Sequence, residues 1–242
     1  MHPIVIAPRF CGPPGTGNGG YASGLLAQQA DGIVRIRLER PVPLATELQV
    51  HPLPGDQLEL RDGETRIALA EPAALELEVP PAPTYVEAIE ASRRYVGLHG
   101  HAFPGCFVCG TDRHRPDGLR IFAGALVPVE DHATEPESLP RVAAPWVPDL
   151  SLGAEDGKVR AEFMWAALDC PGYFAARSDG VPMLLASFTA HVDRRVHVDE
   201  ACVVVGWRIR GEGRKHEVGT ALYDEDGILC ARARALWIEP RK

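Results

Sequence analysis

Residues 11–20, CGPPGTGNGG, form a glycine- and proline-rich loop on which the interpretation of the whole chain depends. The apolar run at residues 3–7 before the loop predicts a strand, and residues 21–30 after it have a helical pattern. The loop has the spacing G-x-x-x-x-G of a phosphate-binding loop, but Asn18 and Gly19 stand where that motif requires Lys and then Ser or Thr. The loop therefore lacks both the charge for a phosphate and the ligand for magnesium, which argues against nucleotide hydrolysis.

The position of this loop at a helix start suggests another use. A helix N-terminus has backbone N–H groups without partners and a partial positive charge. Gly19 and Gly20 let a carbonyl group approach these N–H groups closely. We therefore expect an oxyanion site, which stabilises negative charge that develops on a carbonyl oxygen. Asn18 has two interpretations, a helix cap or a group that orients substrate or water, and one residue can serve both.

The rest of the chain predicts strands and two further helices. Residues 128–157 are rich in Pro, Glu and Asp and predict a loop. Pro80 to Pro83 interrupts the pattern before an amphipathic helix over residues 84–97. The predicted strands are residues 33–39, 46–51, 57–61, 65–69, 107–108, 118–122, 158–163, 200–208, 215–223 and 228–238, and a helix is predicted after Tyr173, to about Val192.

Two parts of the chain repeat each other in order. Gly20-Tyr21 corresponds to Gly172-Tyr173, and the turn signal Asp62-Gly63 corresponds to Asp226-Gly227. The offsets run from 152 (20 to 172) to 164 (62 to 226), as a longer hairpin in the second part would give. We interpret this as a duplication. A helix followed by several antiparallel strands suggests, for each part, a helix wrapped by a curved sheet.

The sequence resembles the hotdog-fold superfamily in its double-hotdog, thioesterase-like form. The residues that carry the resemblance are GPP at 12–14 with NGGY at 18–21, FPGCFVCG at 103–110 with GLRI at 118–121, GRKHEVGTALYD at 213–224 with Gly227, and ARARALWI at 231–238. The last block looks most like acyl-CoA thioesterases. The resemblance implies an α+β fold of two tandem hotdog units packed as a pseudo-dimer. We place the first unit at residues 1–82, a connecting helix and linker at 83–104, and the second unit at 105–242.

The resemblance also implies an activity, the hydrolysis of an acyl thioester, with acyl-CoA as the expected substrate and an acyl-carrier thioester as the other candidate. Asn18-Gly19-Gly20 matches the run that starts the central helix in hotdog thioesterases. In this interpretation the N–H groups of Gly20 and Gly172 bind the thioester oxygen and Asn18 orients substrate or water. The residues expected to bind substrate are Gly19, Tyr21, Gly172 and Tyr173. The motif implies no metal and no cofactor other than the coenzyme A of the substrate.

Asp169 stands in the corresponding loop of the second unit. A carboxylate there can activate water as a general base or attack as a nucleophile. The alternative is an ordinary helix cap near Pro171. For catalysis, Asp169 has to face the helix start of the other unit. The neighbouring Cys170 lies at a helix start, where a thiol can become a nucleophile, but a packed, inert cysteine is the simpler interpretation.

Cys106 and Cys109 form a C-x-x-C pair with His99, His101 and His114 nearby. Such a set can bind structural zinc or act as a redox pair, but no second C-x-x-C accompanies it. We interpret these cysteines as buried structural residues. The six cysteines are irregularly spaced in a chain of 242 residues, so we expect reduced thiols and a cytoplasmic protein.

The charge balance bears on the partners. The net charge of −8 argues against non-specific nucleic-acid binding, which needs a basic face. We find no stretch of the ~20 apolar residues that a membrane-spanning helix needs. Residues 208–215 contain three arginines and a lysine, which suit either coenzyme A phosphates or a solvated turn. We also expect a homodimer, because hotdog proteins often associate with one another.

Two other functions stay open for a hotdog chain. One is a hydratase or dehydratase acting on enoyl or hydroxyacyl thioesters, which needs a histidine within reach of Asp169. The other is a non-catalytic double hotdog that binds an acyl ligand without turnover. An apolar plug in the channel, or an Asp169 that faces solvent, favours the second.

Overall fold

The computed structural model describes residues 1–127, 141–176 and 182–241. Four α-helices lie in this part of the chain: α1 (Gly19–Ala27), α2 (Tyr85–Ser92), α3 (Ala161–Ala167) and α4 (Cys170–Ala176). The strands are β1 (Ile4–Val5), β2 (Val34–Leu38), β3 (Glu47–Leu53), β4 (Gln57–Asp62), β5 (Thr65–Pro72), β6 (Gly124–Ala125), β7 (Arg141–Trp146), β8 (Leu184–Val192), β9 (Cys202–Glu212), β10 (Lys215–Tyr223) and β11 (Leu229–Ile238).

All eleven described strands belong to one antiparallel sheet with the order β1-β3-β4-β5-β2-β8-β11-β10-β9-β7-β6. From the central β2–β8 pair outward, β5, β4, β3 and β1 on one side correspond to β11, β10, β9 and β7 on the other. The first half has the chain order strand, helix, four strands, and the second half has the same order with two helices, α3 and α4, in place of one. The duplication inferred from the sequence is therefore visible in the topology, and β6 is an addition at one edge.

The two halves join at the β2–β8 pair and through their central helices. Ile36 of β2 stands opposite Phe188 of β8, and both side chains are fully buried. Helix α1 packs on α3 at two glycines: a Cβ on Gly20 would lie 2.9 Å from the backbone oxygen of Trp165, and one on Gly24 would lie 2.9 Å from Cα of Glu162. Glycines at this spacing let the helix backbones touch, which brings the start of α1 to the end of α3.

The connecting helix α2 packs on the second half of the sheet, on the face opposite to the one that α4 covers. Its Ala88 and Ala91 pack in a separate buried cluster with Val203, Val205 and Trp207 of β9. Thr84 caps the helix in a reciprocal arrangement with Glu87, as a capping box requires. The helix is shorter than the predicted span 84–97, because it ends at Ser92.

The strand predictions of the first half are confirmed, as are the last three strands of the second half with their turn at Asp226-Gly227. Four other predictions are wrong. Residues 107–108 and 118–122 are not strands, and the region predicted as strand 158–163 contains the start of α3. The helix predicted to about Val192 is described only as far as Ala176, in α4; residues 177–181 lie outside the described residues, and residues 184–192 form β8 instead. Of the predicted loop 128–157, residues 128–140 lie outside the described residues and β7 begins at Arg141.

Candidate active site

A cavity of about 550 Å³ lies where the start of α1 meets the junction of α3 and α4. Both halves of the chain line it: Asn18 and Gly19 come from the first half, and Asp169, Cys170 and Tyr173 from the second. Its walls also include apolar side chains, among them Leu38, Val42, Met183, Leu185 and Trp237. A concave, largely apolar site with a few convergent polar groups is typical of a small-molecule pocket.

Asp169 is the carboxylate of this cavity, and its two oxygens have different surroundings. Oδ2 accepts hydrogen bonds from Nδ2 of Asn18 at 2.8 Å and from the backbone N–H of Gly20 at 3.0 Å. Oδ1 is buried and has no hydrogen-bond partner among the described residues. Two donors therefore fix the orientation of the carboxyl group, and one oxygen is left to act on a bound molecule.

Burial raises the pKa of Asp169 to about 7, well above the usual value for an aspartic acid. The hydrogen bond from Gly20 opposes this rise, the nearby Cys106 adds to it, and the hydrogen bond from Asn18 opposes it again. A carboxyl group with a pKa near neutrality accepts and returns a proton readily, as a general base must.

The first N–H groups of α1 are divided between the protein and the cavity. The N–H of Gly20 donates to Asp169, so the expectation that it binds a substrate oxygen is corrected by this hydrogen bond. A side chain on Gly20 is also impossible, because its Cβ would lie 2.5 Å from Cβ of Asp169. The N–H of Gly19 has no acceptor among the residues the structure describes, and Gly19 lines the cavity. The N–H of Gly19, not that of Gly20, is thus free to donate to a bound molecule.

Asn18 caps α1, which is one of its two expected interpretations, and it also holds Asp169; its expected role of orienting substrate or water stays a prediction. Its Oδ1 accepts from the N–H of Tyr21 at 2.9 Å and caps α1, while its Nδ2 holds Asp169. Asn18 therefore orients the carboxylate of Asp169 by a direct hydrogen bond. Asp169 itself, which we expected to face the helix start of the other unit, does so through Asn18 and Gly20.

The remaining predicted binding residues divide into one that lines the cavity and two that do not. Tyr173 lines it. The side chain of Tyr21 instead stacks on Phe10 at a centroid distance of 4.3 Å, in a buried aromatic cluster. The N–H of Gly172 donates to the backbone oxygen of Asp169, and its Cα packs so closely on β10 that a Cβ would lie 2.7 Å from Val218. Tyr21 and Gly172 are thus packing residues in this structure.

The histidines do not join the cysteine pair. His99 and His114 are exposed, and the group of close sulfur ligands around Cys106 and Cys109 is completed by Cys170. All six cysteines are free, so the C-x-x-C pair is not a disulfide. Sequence spacing gave no signal for the approach of Cys170, because it lies 64 residues from Cys106.

Two arginines line the cavity, and nothing in the sequence indicated that both would do so. Arg214, from the predicted basic turn, lines the cavity and donates to the backbone oxygen of Glu239 at 2.7 Å. Arg40, from the loop before β3, lines it as well. Arg210 and Lys215 border a second cavity elsewhere on the sheet. His191, expected in a helix, lies on β8 with Nδ1 3.2 Å from Asp193.

No protein-family model and no curated protein sequence matches the chain. Solved structures do match. The TesB protein of Mycobacterium avium subspecies paratuberculosis is 15% identical, with a TM-score of 0.62 over 99% of this chain and 92% of its own. A thioesterase II candidate from Thermobifida fusca is 18% identical, with a TM-score of 0.58 over the same shares of the two chains. A hotdog-fold protein of unknown function from Alicyclobacillus acidocaldarius is 11% identical, with a TM-score of 0.57 over 94% of this chain and 89% of its own.

These likenesses cover nearly the whole chain and, with the duplicated topology, define its class: the protein is a double hotdog of the α+β type. Each half packs its central helix or helices against an antiparallel sheet, as the resemblance implied. No helix in the described part of the chain has the length and apolar character needed to cross a lipid bilayer.

Proposed function

We propose that this double hotdog hydrolyses acyl thioesters, with acyl-CoA as the substrate class. The observation that carries the proposal is the carboxyl group of Asp169. It is buried in the cavity, held through Oδ2 by two donors, and has a free Oδ1. Thioesterase-type proteins among the structural neighbours agree with this chemistry, and their fold places no constraint on the acyl group.

In the proposed mechanism, Oδ1 of Asp169 takes a proton from a water molecule as that water attacks the thioester carbonyl carbon. The negative charge that develops on the carbonyl oxygen is stabilised by the N–H of Gly19 and the partial positive charge at the start of α1. When the carbon–sulfur bond breaks, the proton on Asp169 passes to the leaving thiolate. The products are a carboxylic acid and a free thiol, and Asp169 is regenerated.

The cavity suits an acyl group with a charged carrier. Leu38, Met183 and Leu185 offer apolar contacts for an acyl chain. Arg40 and Arg214 provide cations on the same cavity, and arginine suits the phosphates of coenzyme A. These arginines support coenzyme A over an uncharged thioester, and an acyl-carrier protein, which presents one phosphate, is the alternative carrier.

The test is a hydrolysis assay on a panel of short, long and aromatic acyl-CoAs. Loss of thioester absorbance is the readout, because the six free cysteines of the chain would react with a thiol dye. Asp169→Asn keeps an oxygen that accepts from Asn18 and Gly20 but removes the base. We expect kcat to fall by about 10² to 10⁴, the usual contribution of general base catalysis.

Glu162→Gln is the matched control. Glu162 is another buried carboxylate, on α3, and bonds to Gln28 away from the cavity. This variant should keep wild-type turnover. Equal turnover in wild type and Asp169→Asn would overturn the assignment of the base. If wild type hydrolyses no member of the panel although acyl-CoA raises its melting temperature, the non-catalytic binder replaces the thioesterase.

A single turnover in ¹⁸O-labelled water distinguishes a base from a nucleophile. If Asp169 activates water, the label enters only the acid product. If Asp169 attacks the carbonyl, an anhydride forms, and water that attacks the aspartyl carbon of this anhydride leaves label in the Asp169 carboxylate. Mass spectrometry of the peptide that contains Asp169 detects that label, which would identify Asp169 as the nucleophile.

One observation bears on the hydratase alternative. His101 lines the cavity, but its Nε2 and Oδ1 of Asp169 both lack partners, so the two side chains are not hydrogen-bonded to each other. The acid–base pair of a hydratase is therefore not formed in this structure. Incubation with an enoyl-CoA tests it directly, since loss of the enoyl absorbance without thiol release would favour hydration. A homodimer and a cytoplasmic location stay predictions.

A further inference from the structure

Three cysteine sulfurs from two distant segments meet beside Asp169. Cys106 and Cys109 come from the loop that follows α2, and Cys170 is the first residue of α4. Their sulfur atoms all lie within 4.8 Å of one another, and all three side chains are buried. They line the same cavity as Asp169. This cluster plays no part in the proposed hydrolysis.

The spacing of the sulfurs fits a tetrahedral metal ion. Zinc binds cysteine sulfur at about 2.3 Å, so two sulfurs at tetrahedral positions are about 3.8 Å apart. Sγ of Cys106 and Sγ of Cys170 are separated by 3.8 Å. The third sulfur, within 4.8 Å of both, needs a shift of at most about 1.1 Å, a small rotation of the side chain, to reach the same geometry.

The loop around Cys106 is shaped to present its sulfurs. The N–H of Gly110 closes the turn on the backbone oxygen of Cys106 at 2.9 Å. A Cβ on Gly110 would lie 2.4 Å from that oxygen, so the tight turn requires glycine here. The turn therefore holds Cys106 and Cys109 in one tight bend, with both sulfurs in the cluster.

We propose that Cys106, Cys109 and Cys170 bind one zinc ion whose fourth position is open to the cavity. On binding, the three thiols release three protons and become thiolates. His101 does not supply the fourth ligand, because its Nδ1 accepts from the N–H of Phe103 at 2.8 Å, which puts the ring proton on Nε2. Three protein ligands with an open fourth position are typical of zinc sites that bind water or a substrate atom.

The test uses the full chain, kept reduced, and does not depend on thioester hydrolysis. Metal content is measured by mass spectrometry after expression with zinc, and cobalt(II) is then exchanged into the site. We expect about one zinc per chain and, with cobalt, the sulfur-to-metal charge-transfer band and intense visible bands of a tetrahedral thiolate site. A small thiol added to the cobalt form should change the visible bands by occupying the fourth position; unchanged bands would overturn the open position.

Cys170→Ser and Cys230→Ser form a matched pair of variants. Cys230 is buried on β11, and its sulfur donates to the backbone oxygen of Ile228, a bond that serine keeps. Cys230→Ser should retain the metal and the cobalt spectrum, whereas Cys170→Ser should lose at least about nine-tenths of both. Circular dichroism checks that both variants are folded. The proposal is overturned if reduced, folded wild type contains no zinc and shows no thiolate band with cobalt.

Discussion

At the scale of single residues, the unusual feature is a buried carboxyl group with half of its hydrogen-bonding capacity unused. An ionised group in such a place is costly unless it is compensated, and the two donors to Asp169 compensate it only in part. Natural proteins keep such groups mainly where function needs them. The cost is therefore an argument for a role in catalysis, and it can be measured as a loss of stability.

Asp169→Asn should make the protein more stable at alkaline pH. The folded protein holds the Asp169 proton up to a pH of about 7, whereas the unfolded chain releases it near pH 4. The folded state binds more protons between these values, so the contribution of Asp169 to stability is greatest below pH 4 and falls as the pH rises to 7. The loss amounts to about 4 kcal/mol, at ~1.4 kcal/mol per pKa unit. Asparagine carries no charge and avoids this loss.

The measurement is thermal unfolding of both proteins from pH 5 to pH 9, after dialysis against a chelator so that no metal contributes. The difference between the melting temperatures should grow by several degrees from pH 5 to pH 8, in favour of the variant. Parallel curves for the two proteins would mean that the pKa of Asp169 is not raised.

Asn18→Ala should shift the pH dependence of hydrolysis to higher pH. The hydrogen bond from Asn18 lowers the pKa of Asp169, so its removal lets burial raise that pKa further. After metal has been removed with a chelator, we expect kcat/KM of the wild-type protein to rise with pH through an inflection near 7, because the base must be ionised. The inflection of the variant should lie at higher pH, and a profile that merely drops in height would assign Asn18 a structural role only.

At the scale of elements, the site depends on the contact between α1 and α3. Glycine at positions 20 and 24 removes two side chains from one face of α1, and α3 occupies the space. This contact places Asp169 against the first turn of α1. A helix that carried alanine at these positions would form equally well by itself, and alanine has the higher helix propensity. The glycines therefore serve the packing between helices.

Gly24→Ala should destabilise the protein in spite of that propensity. The added Cβ would lie 2.8 Å from Cβ of Trp165 and 2.9 Å from Cα of Glu162, and the backbone contact cannot relax by a rotamer change. Overpacking of this kind costs about 1–3 kcal/mol. Urea denaturation measures it. Gly105→Ala is the control, because no atom lies within 4 Å of a Cβ at that position; an equal loss in both variants would refute the close contact.

The same elements show what sequence patterns can and cannot predict. The first-half strands alternate between buried and exposed residues, as in β2 and β3, and were predicted well. Residues 161–167 are buried almost all round in α3, and β8 is a central strand with a run of buried residues. A buried helix and a buried strand are both simply apolar in sequence, so the two were exchanged in the prediction.

The site was predictable only in part, for a related reason. The helix-start motif at Asn18 to Gly20 and the carboxylate at Asp169 could each be recognised in their own segments. Their pairing spans 151 residues and depends on how the halves pack. Sequence spacing therefore could not reveal that Asp169 consumes the N–H of Gly20 and leaves that of Gly19, nor that Cys170 approaches Cys106.

At the scale of the whole molecule, the site belongs to neither half alone. Asn18, Gly19 and Gly20 come from the first half and Asp169 from the second, so the geometry holds only while the halves stay joined. The junction in the sheet is short: β2 and β8 align three residue pairs, compared with nine between β10 and β11. The buried side chains at this junction must then contribute much of its stability.

Ile36→Ala should therefore weaken both the fold and the site. Ile36 is fully buried opposite Phe188, and removing its side chain leaves a cavity that costs about 2–5 kcal/mol. Because the sheet is continuous across the junction, we expect one cooperative unfolding transition at lower denaturant concentration, with loss of hydrolysis in the same step. Ile228→Ala is the control: Ile228 is 54% exposed, and the same truncation there should change stability by less than about 0.5 kcal/mol. Two separate transitions in the variant would mean that the halves fold independently and that the α1–α3 contact, not the sheet, holds the site together.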